Sequence, residues 1–204
     1  MTIKSSFFSF LLVATAFTFL TNCSGDTKER SHEGTAHEHA SGSAGAAEAT
    51  EPQFQVDIKF QEQLSAVFTS YVDLQEALVA SDPQKVKQQA SQTNAVLAQV
   101  DMTLITGAAH NDWMSYLTPM ANSLEAIQSS ADIDAQRKSF SSLSDNLYKS
   151  VKAFGLRGEQ AFYTYCPMAL NNEGAYWLSD EEKVRNPYFG DKMLTCGEVK
   201  EKLK

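Results

Sequence analysis

Residues Val56–Val79 read VDIKFQEQLSAVFTSYVDLQEALV. Phe60, Leu64, Val67, Phe68, Tyr71, Leu74 and Leu78 fall at helical spacing within this run. A strand alternates with period two, whereas this pattern lays one apolar stripe along a helix. A helix with a single apolar stripe is not stable by itself in water. It needs other helices to cover that face.

Those partners follow directly. Ser81-Asp82-Pro83 ends the first helix and starts a second, because Asp82 is a good N-cap and Pro83 suits the first helical position. The second helix is expected over Pro83–Ile105, with Val86, Ala90, Val96, Leu97, Val100 and Leu104 inward and Gly107 as its end. A third is expected over Asn111–Ser129, with Trp113, Tyr116, Leu117, Met120, Leu124 and Ile127 inward and a kink at Pro119. Asp132 should cap a fourth that runs to Phe154, with Gly155 closing it. Short connections between helices of this length predict a mainly α fold, an antiparallel four-helix bundle.

From Gln160 onward the chain changes character. Ala161–Tyr165 alternates and is aromatic, Asn171-Asn172-Glu173-Gly174 has turn chemistry, and Gly174–Ser179 reads as a second strand. The expectation is a C-terminal aromatic-rich tail containing a short β-hairpin that docks on the bundle. Met193–Cys196 reads as a third extended piece or a short helix.

At the other end, Lys4 precedes an apolar run over Phe7–Leu20, the length of a signal-peptide core and short for a membrane span. Leu20-Thr21-Asn22-Cys23 resembles a lipoprotein box, although Asn22 stands where a small residue is usual. Residues 1–22 are therefore expected to be a lipoprotein signal peptide, with Cys23 lipidated and anchoring the protein to a membrane. A plain secretory signal or an uncleaved anchor is the other reading. Residues 23–52 are small and polar and are expected to form a disordered tether. His37 and His39 within it are a weak candidate pair for a borderline divalent ion, or simply polar tether residues. The folded domain is expected over residues 53–204.

The net charge is −8, and no basic cluster is present. This excludes nucleic acid as the natural partner, since that binding rests on Lys and Arg neutralising phosphates. There is no Gly-rich phosphate loop, no GxSxG and no HExxH. No catalytic constellation stands out, so an enzyme is the weakest functional class. Of three cysteines, Cys23 is assigned to lipid, which leaves Cys166 and Cys196. Each lies within three residues of a methionine: Cys166 with Met168, Cys196 with Met193. Thiolate and thioether are soft donors suited to copper(I) or silver(I). Two readings stay open. One is a metal site formed by Cys166, Met168, Met193 and Cys196, with His110 as a further imidazole. The other is a Cys166–Cys196 disulfide that staples the tail into a protein-interaction module, as an extracytoplasmic address permits. Met114 and Met120 read as core, Tyr176 and Trp177 as packing residues, and Arg185 as a hydrogen-bond donor to nearby turn carbonyls.

The strings Tyr165-Cys166-Pro167-Met168-Ala169, Gly174-Ala175-Tyr176-Trp177-Leu178-Ser179, Asn186-Pro187-Tyr188-Phe189-Gly190 and Met193-Leu194-Thr195-Cys196-Gly197 resemble the DUF3347 family. So does the upstream segment Asp134–Phe140. The resemblance spans about Phe60 to Val199. Domains of this family occur in secreted or lipid-anchored bacterial proteins, and appended to the periplasmic adaptor subunits of copper/silver efflux pumps. The resemblance thus implies a copper-handling context. It points to a membrane-anchored lipoprotein of the cell envelope, facing the periplasm, with a heavy-metal efflux adaptor as a partner. Tyr-Cys-Pro-Met is also similar to the Tyr-x-Cys-Pro-Met core of small heavy-metal-binding domains. Here Cys166 follows Tyr165 directly and no His-Pro follows Met168, so that likeness is partial.

Overall fold

The computed structural model describes residues 51–204. The signal peptide, Cys23, the tether up to residue 50, and His37 and His39 lie outside the described residues. Four long helices form: α1 (Ile58–Val79), α2 (Pro83–Leu97), α3 (Gly107–Ser129) and α4 (Ile133–Phe154). Every residue of the α1 stripe is buried, from Phe60 to Leu78. Each helix packs on the next in sequence, and α1 also meets α4. Phe60, Trp113 and Phe154 join α1, α3 and α4 edge to face, with ring centroids 5.1–6.1 Å apart. No helix among the described residues is long and apolar enough to cross a membrane.

The caps explain the boundaries. The Asp82 carboxylate accepts from the N–H groups of Gln84 and Lys85 at 3.0 and 3.1 Å, and Asp132 does the same for Asp134 and Ala135 at 3.3 and 3.2 Å. Each satisfies N–H groups that lack a partner within the helix. One boundary departs from expectation: α2 stops at Leu97 and not at Ile105. Asp101 is the physical reason. Its carboxylate accepts from the Thr103 N–H and hydroxyl at 2.9 and 2.6 Å, and its own N–H bonds Gln63 Oε1 at 2.9 Å. A short acidic side chain that bonds nearby backbone offers the chain an alternative to the helix. A separate 3₁₀ turn, Met102–Leu104, forms there. Gly107 accordingly opens α3 instead of closing α2, and α3 runs on through Pro119.

The tail forms three strands: β1 (Ala161–Cys166), β2 (Ala175–Ser179) and β3 (Glu198–Leu203). They make an antiparallel sheet in the order β2-β1-β3. The expected hairpin is β1–β2. The third extended piece lies later than expected. Met193–Cys196 is a turn that follows a 3₁₀ turn at Gly190–Lys192, and the strand is Glu198–Leu203. Its sequence, EVKEKL, is charged and gives a weak strand signal, which suits an exposed sheet edge.

Tyrosines weld the sheet to the helices. Tyr148 of α4 stacks on Tyr163, Tyr163 on Tyr176, and Tyr176 leans on Tyr165, with centroids 3.8, 4.6 and 4.4 Å apart. Inside, the Tyr71 hydroxyl bonds Ser144 Oγ at 2.7 Å and accepts from the Leu178 N–H at 3.2 Å. One α1 side chain thereby ties α4 and β2 together. Burial raises the Tyr71 phenol well above its ordinary range.

Candidate functional site

β1 carries Cys166 as its last residue, opposite Ala175 of β2 and on the same sheet face as Trp177. Strand alternation turns Cys166 away from Tyr165, which lies on the other face. Cys166 is fully buried. The chain then turns sharply through Pro167 and Met168 into three successive residues with positive φ: Leu170 at 51°, Asn171 at 60° and Asn172 at 69°. This left-handed turn returns the chain to β2. Met168, at its start, is 45% exposed.

Cys196 arrives from the far end of the tail and is held by a residue the sequence reading passed over. Asn186 is fully buried. Its Nδ2 donates to the Cys196 carbonyl at 2.7 Å, and its Oδ1 accepts from the Tyr188 N–H at 2.8 Å. Its backbone N–H donates to the Leu194 carbonyl at 2.8 Å, and its carbonyl accepts from Gly190 at 3.0 Å. One amide therefore pins both ends of the 186–196 loop. Gly197 completes the approach at φ 143°, where a Cβ would stand 2.8 Å from Trp177 Cη2. Only glycine lets the chain pass this close to the indole.

The result is a meeting of the two cysteines. Cys166 and Cys196 are unbonded thiols, and they stand close enough for the Cys166 thiol to act on the Cys196 thiol. The Cys196 thiol is pushed up to about 11, first by burial and then by its Cys166 neighbour, while the Met168 backbone N–H pulls it the other way. The two cysteines are thus neighbours, with no disulfide between them. Of the two methionines, Met168 neighbours the Cys196 thiol through its backbone, and the Met193 carbonyl accepts from the Cys196 N–H at 3.0 Å. All four candidate residues thus belong to one locality of the tail.

Other candidates lie elsewhere or serve packing. His110 sits in the first turn of α3, half-buried. Met120 is fully buried in the core, and Met114 is 37% exposed on the same helix. Among the described residues, no group of three or more His, Cys, Asp or Glu side chains stands close enough to hold a metal ion. Donors beyond the two thiols would have to be thioethers or backbone. Arg185 does not serve turn carbonyls. It forms a fork on Glu76 of α1 at 2.8 and 2.5 Å, and its own carbonyl accepts from Gln75 Nε2 at 2.9 Å. Arg137 of α4, another residue that sequence pattern did not single out, reaches under the tail. Its Nε donates to the Pro187 carbonyl at 2.9 Å and its Nη2 to Ser81 Oγ at 2.9 Å. Arg137 and Asn186 lie within strings that carry the family resemblance, but their roles carried no sequence signal, because polar residues in a helix and a turn look the same whether they face water or core.

The family model described as a protein of unknown function, DUF3347, matches residues 67–159. The match begins inside α1 and ends just before β1, so it rests on the helices and stops short of the cysteine motifs. No match is found among curated proteins or among solved structures. The matched region is thus the helical part of the chain, where it is similar to the DUF3347 family.

Proposed function

We propose that this protein is an extracytoplasmic lipoprotein that binds one soft monovalent ion, copper(I) or silver(I), between Cys166 and Cys196, and that it buffers the ion or delivers it to an efflux adaptor. It is a binder and not an enzyme. The observation that carries this reading is the meeting of two thiols from distant segments at the end of β1, beside two methionine-bearing turns. Soft sulfur donors in so small a number suit a monovalent ion of low coordination number. Met168 is exposed and on a flexible stem, so it is the thioether free to swing onto a bound ion, with Met193 as the alternative. The helices, as an antiparallel four-helix bundle, are the rigid platform for the tail. Cys23 would supply the membrane anchor, in keeping with a site on the periplasmic side.

One observation favours a second reading. Cys166 is fully buried and the Cys196 thiol is raised. Thiols that resist ionisation make poor metal ligands at neutral pH and poor leaving groups from a disulfide. A Cys166–Cys196 disulfide would then staple the tail, and the module would bind a partner protein.

The test is a competition titration. Reduced protein lacking residues 1–50 is mixed with copper(I) held by a weak chelator. The metal reading expects one ion per chain, sharp loss of affinity in Cys166→Ser and a modest loss in Met168→Leu, which keeps size and apolarity. Both ligating thiols must lose a proton, so affinity should fall by up to roughly a hundredfold for each unit of pH lowered. No copper uptake by the reduced protein, together with no free thiol after aerobic purification, would establish the staple instead.

A further inference from the structure

A second feature of the tail lies away from the thiols. A cleft of about 500 Å³ opens between the first turns of α4 and the tail. Arg137 and Lys138 of α4 line one side, and Leu170, Phe189 and Lys192 of the tail line the other. Its size and mixed lining suit a small organic molecule.

Its charge is unlike that of the chain. The protein carries −8 overall, yet three cations line this cleft against two carboxylates, Asp134 and Glu173. Arg137 is 7% exposed, so its charge is held in a poorly hydrated setting. Backbone carbonyls and Ser81 hold its Nε and Nη2, and its counter-ion among the described residues is Asp134, at 3.2 Å from Nη1. The Asp134 side chain is itself 82% exposed. That carboxylate is an easily displaced occupant of a buried cation's outer face. Lys138 and Lys192 are exposed and have no ion-pair partner among the described residues. The opposite wall adds apolar surface beside Lys192, Asn171 and Glu173: Leu170 and Phe189 are half-buried and pack against the core.

The wall is held in an unusual conformation. Leu170 sits at φ 51° and ψ 54°, in the left-handed region that a leucine seldom adopts. Strained backbone of this kind persists where the surroundings over-determine it, and it clusters at ligand clamps.

We propose that this cleft binds a small organic anion with an apolar body, of the aryl or alkyl carboxylate class. The anionic head replaces Asp134 on Arg137 and takes Lys138 and Lys192 as further counter-ions. The apolar body lies on Leu170 and Phe189. A bare inorganic anion would leave that wall uncovered, and a neutral apolar molecule would leave the cations unpaired. This inference does not depend on metal binding, because neither thiol lines the cleft.

The test uses 8-anilinonaphthalene-1-sulfonate as the anionic aryl probe and uncharged N-phenylnaphthylamine as its control. With the wild-type protein, the anion should saturate a single site and bind about tenfold or more tightly than the neutral control, in keeping with two or three partly screened charge contacts. Lys138→Gln with Lys192→Gln should weaken the anion by about tenfold and leave the neutral control unchanged. Asp134→Asn removes the competing carboxylate and should tighten the anion severalfold. Lys138 and Lys192 are exposed, so the melting midpoint of the double-lysine variant should stay near wild type, and that is checked first; Asp134→Asn, which takes the counter-ion from Arg137, should melt somewhat lower and is assayed well below its midpoint. Equal affinity for anion and neutral control overturns the proposal with wild-type protein alone. So does a sulfonate affinity indifferent to the lysine pair, or the lack of any saturable site.

Discussion

Cys196 reaches Cys166 because of a side chain that carries no sulfur. Asn186 spends both ends of its amide on the loop, one on the Cys196 carbonyl and one on the Tyr188 N–H. An aspartate there would keep the shape and reverse the donor, leaving the Cys196 carbonyl without its partner. The thiols themselves make a prediction about pH. Folding raises the Cys196 thiol from an ordinary value of 9.0 to about 11, so the folded state holds its proton more tightly than the unfolded chain. The stability this contributes is fully present below pH 9.0 and is lost as pH rises through about 11. Urea unfolding of the reduced protein near pH 8 and near pH 10.5 should therefore show a larger alkaline loss for wild type than for Cys196→Ser. The buried tyrosines titrate in both proteins and cancel from that difference. Identical losses in the two proteins would mean that Cys196 is not perturbed by folding.

Among the elements, the left-handed turn between β1 and β2 is the one that local preference alone would not build. Asparagine tolerates this region and leucine does not, by roughly 1–2 kcal/mol for a side chain with a Cβ. Leu170 stays there because its side chain is half-buried against the core. Two truncations separate these effects. Leu170→Ala loses the burial and keeps the strain, whereas Leu170→Gly loses the burial and releases the strain. The glycine variant should be the more stable of the two by about 1 kcal/mol, the reverse of their order in an ordinary helix. Denaturant midpoints decide it, and an alanine variant as stable as the glycine variant would show that the turn is not held left-handed. α2 teaches a related lesson. Its apolar pattern continues past Leu97, but Asp101 captures the backbone of Thr103 and ends the regular helix early.

At the scale of the molecule, the two ends of the described chain meet at the C-terminus of α4. The last carbonyls of that helix have no partner within it. Lys152 and Ala153 carbonyls accept from the N–H groups of Gln53 and Phe54 at 3.3 and 2.8 Å, and the Phe154 carbonyl accepts from Gln61 Nε2 at 2.8 Å. The Phe54 ring stacks on Phe154 at 5.6 Å, Pro52 lies against Gly155, and Lys204 pairs with Glu51. The folded unit thus takes in Glu51 and Pro52, which the composition had assigned to the tether. Phe54→Ala should cost about 1–2 kcal/mol and lower the melting midpoint by a few degrees. A chain that starts at Glu51 should melt with the full-length protein. If Phe54→Ala melts unchanged, the strap adds nothing to the fold. The same geometry fixes where the thiols lie relative to this strap. β1 starts at Ala161 beside this strap and ends at Cys166, about 17 Å further on. The thiols therefore sit at the end of the sheet away from the point where residue 51 enters.

The sequence by itself determined the four helices and the β1–β2 hairpin, because their causes are local. The α1 stripe, the Asp82 and Asp132 caps, Pro83 and the β1–β2 hairpin all follow from periodicity and from side chains that bond their own neighbourhood. It also determined which atoms were present for chemistry: two thiols beside two thioethers, on a chain of net charge −8. Only the tertiary structure decided that the thiols meet. That depends on Asn186 bridging a loop and on Gly197 clearing Trp177, contacts between residues whose spacing in the chain carries no signal. It decided likewise that Arg137 lies under the tail and that a charged C-terminal segment becomes β3. In each case a polar group is satisfied by a distant partner, and a pattern of hydrophobic and polar residues does not record which distant partner that will be.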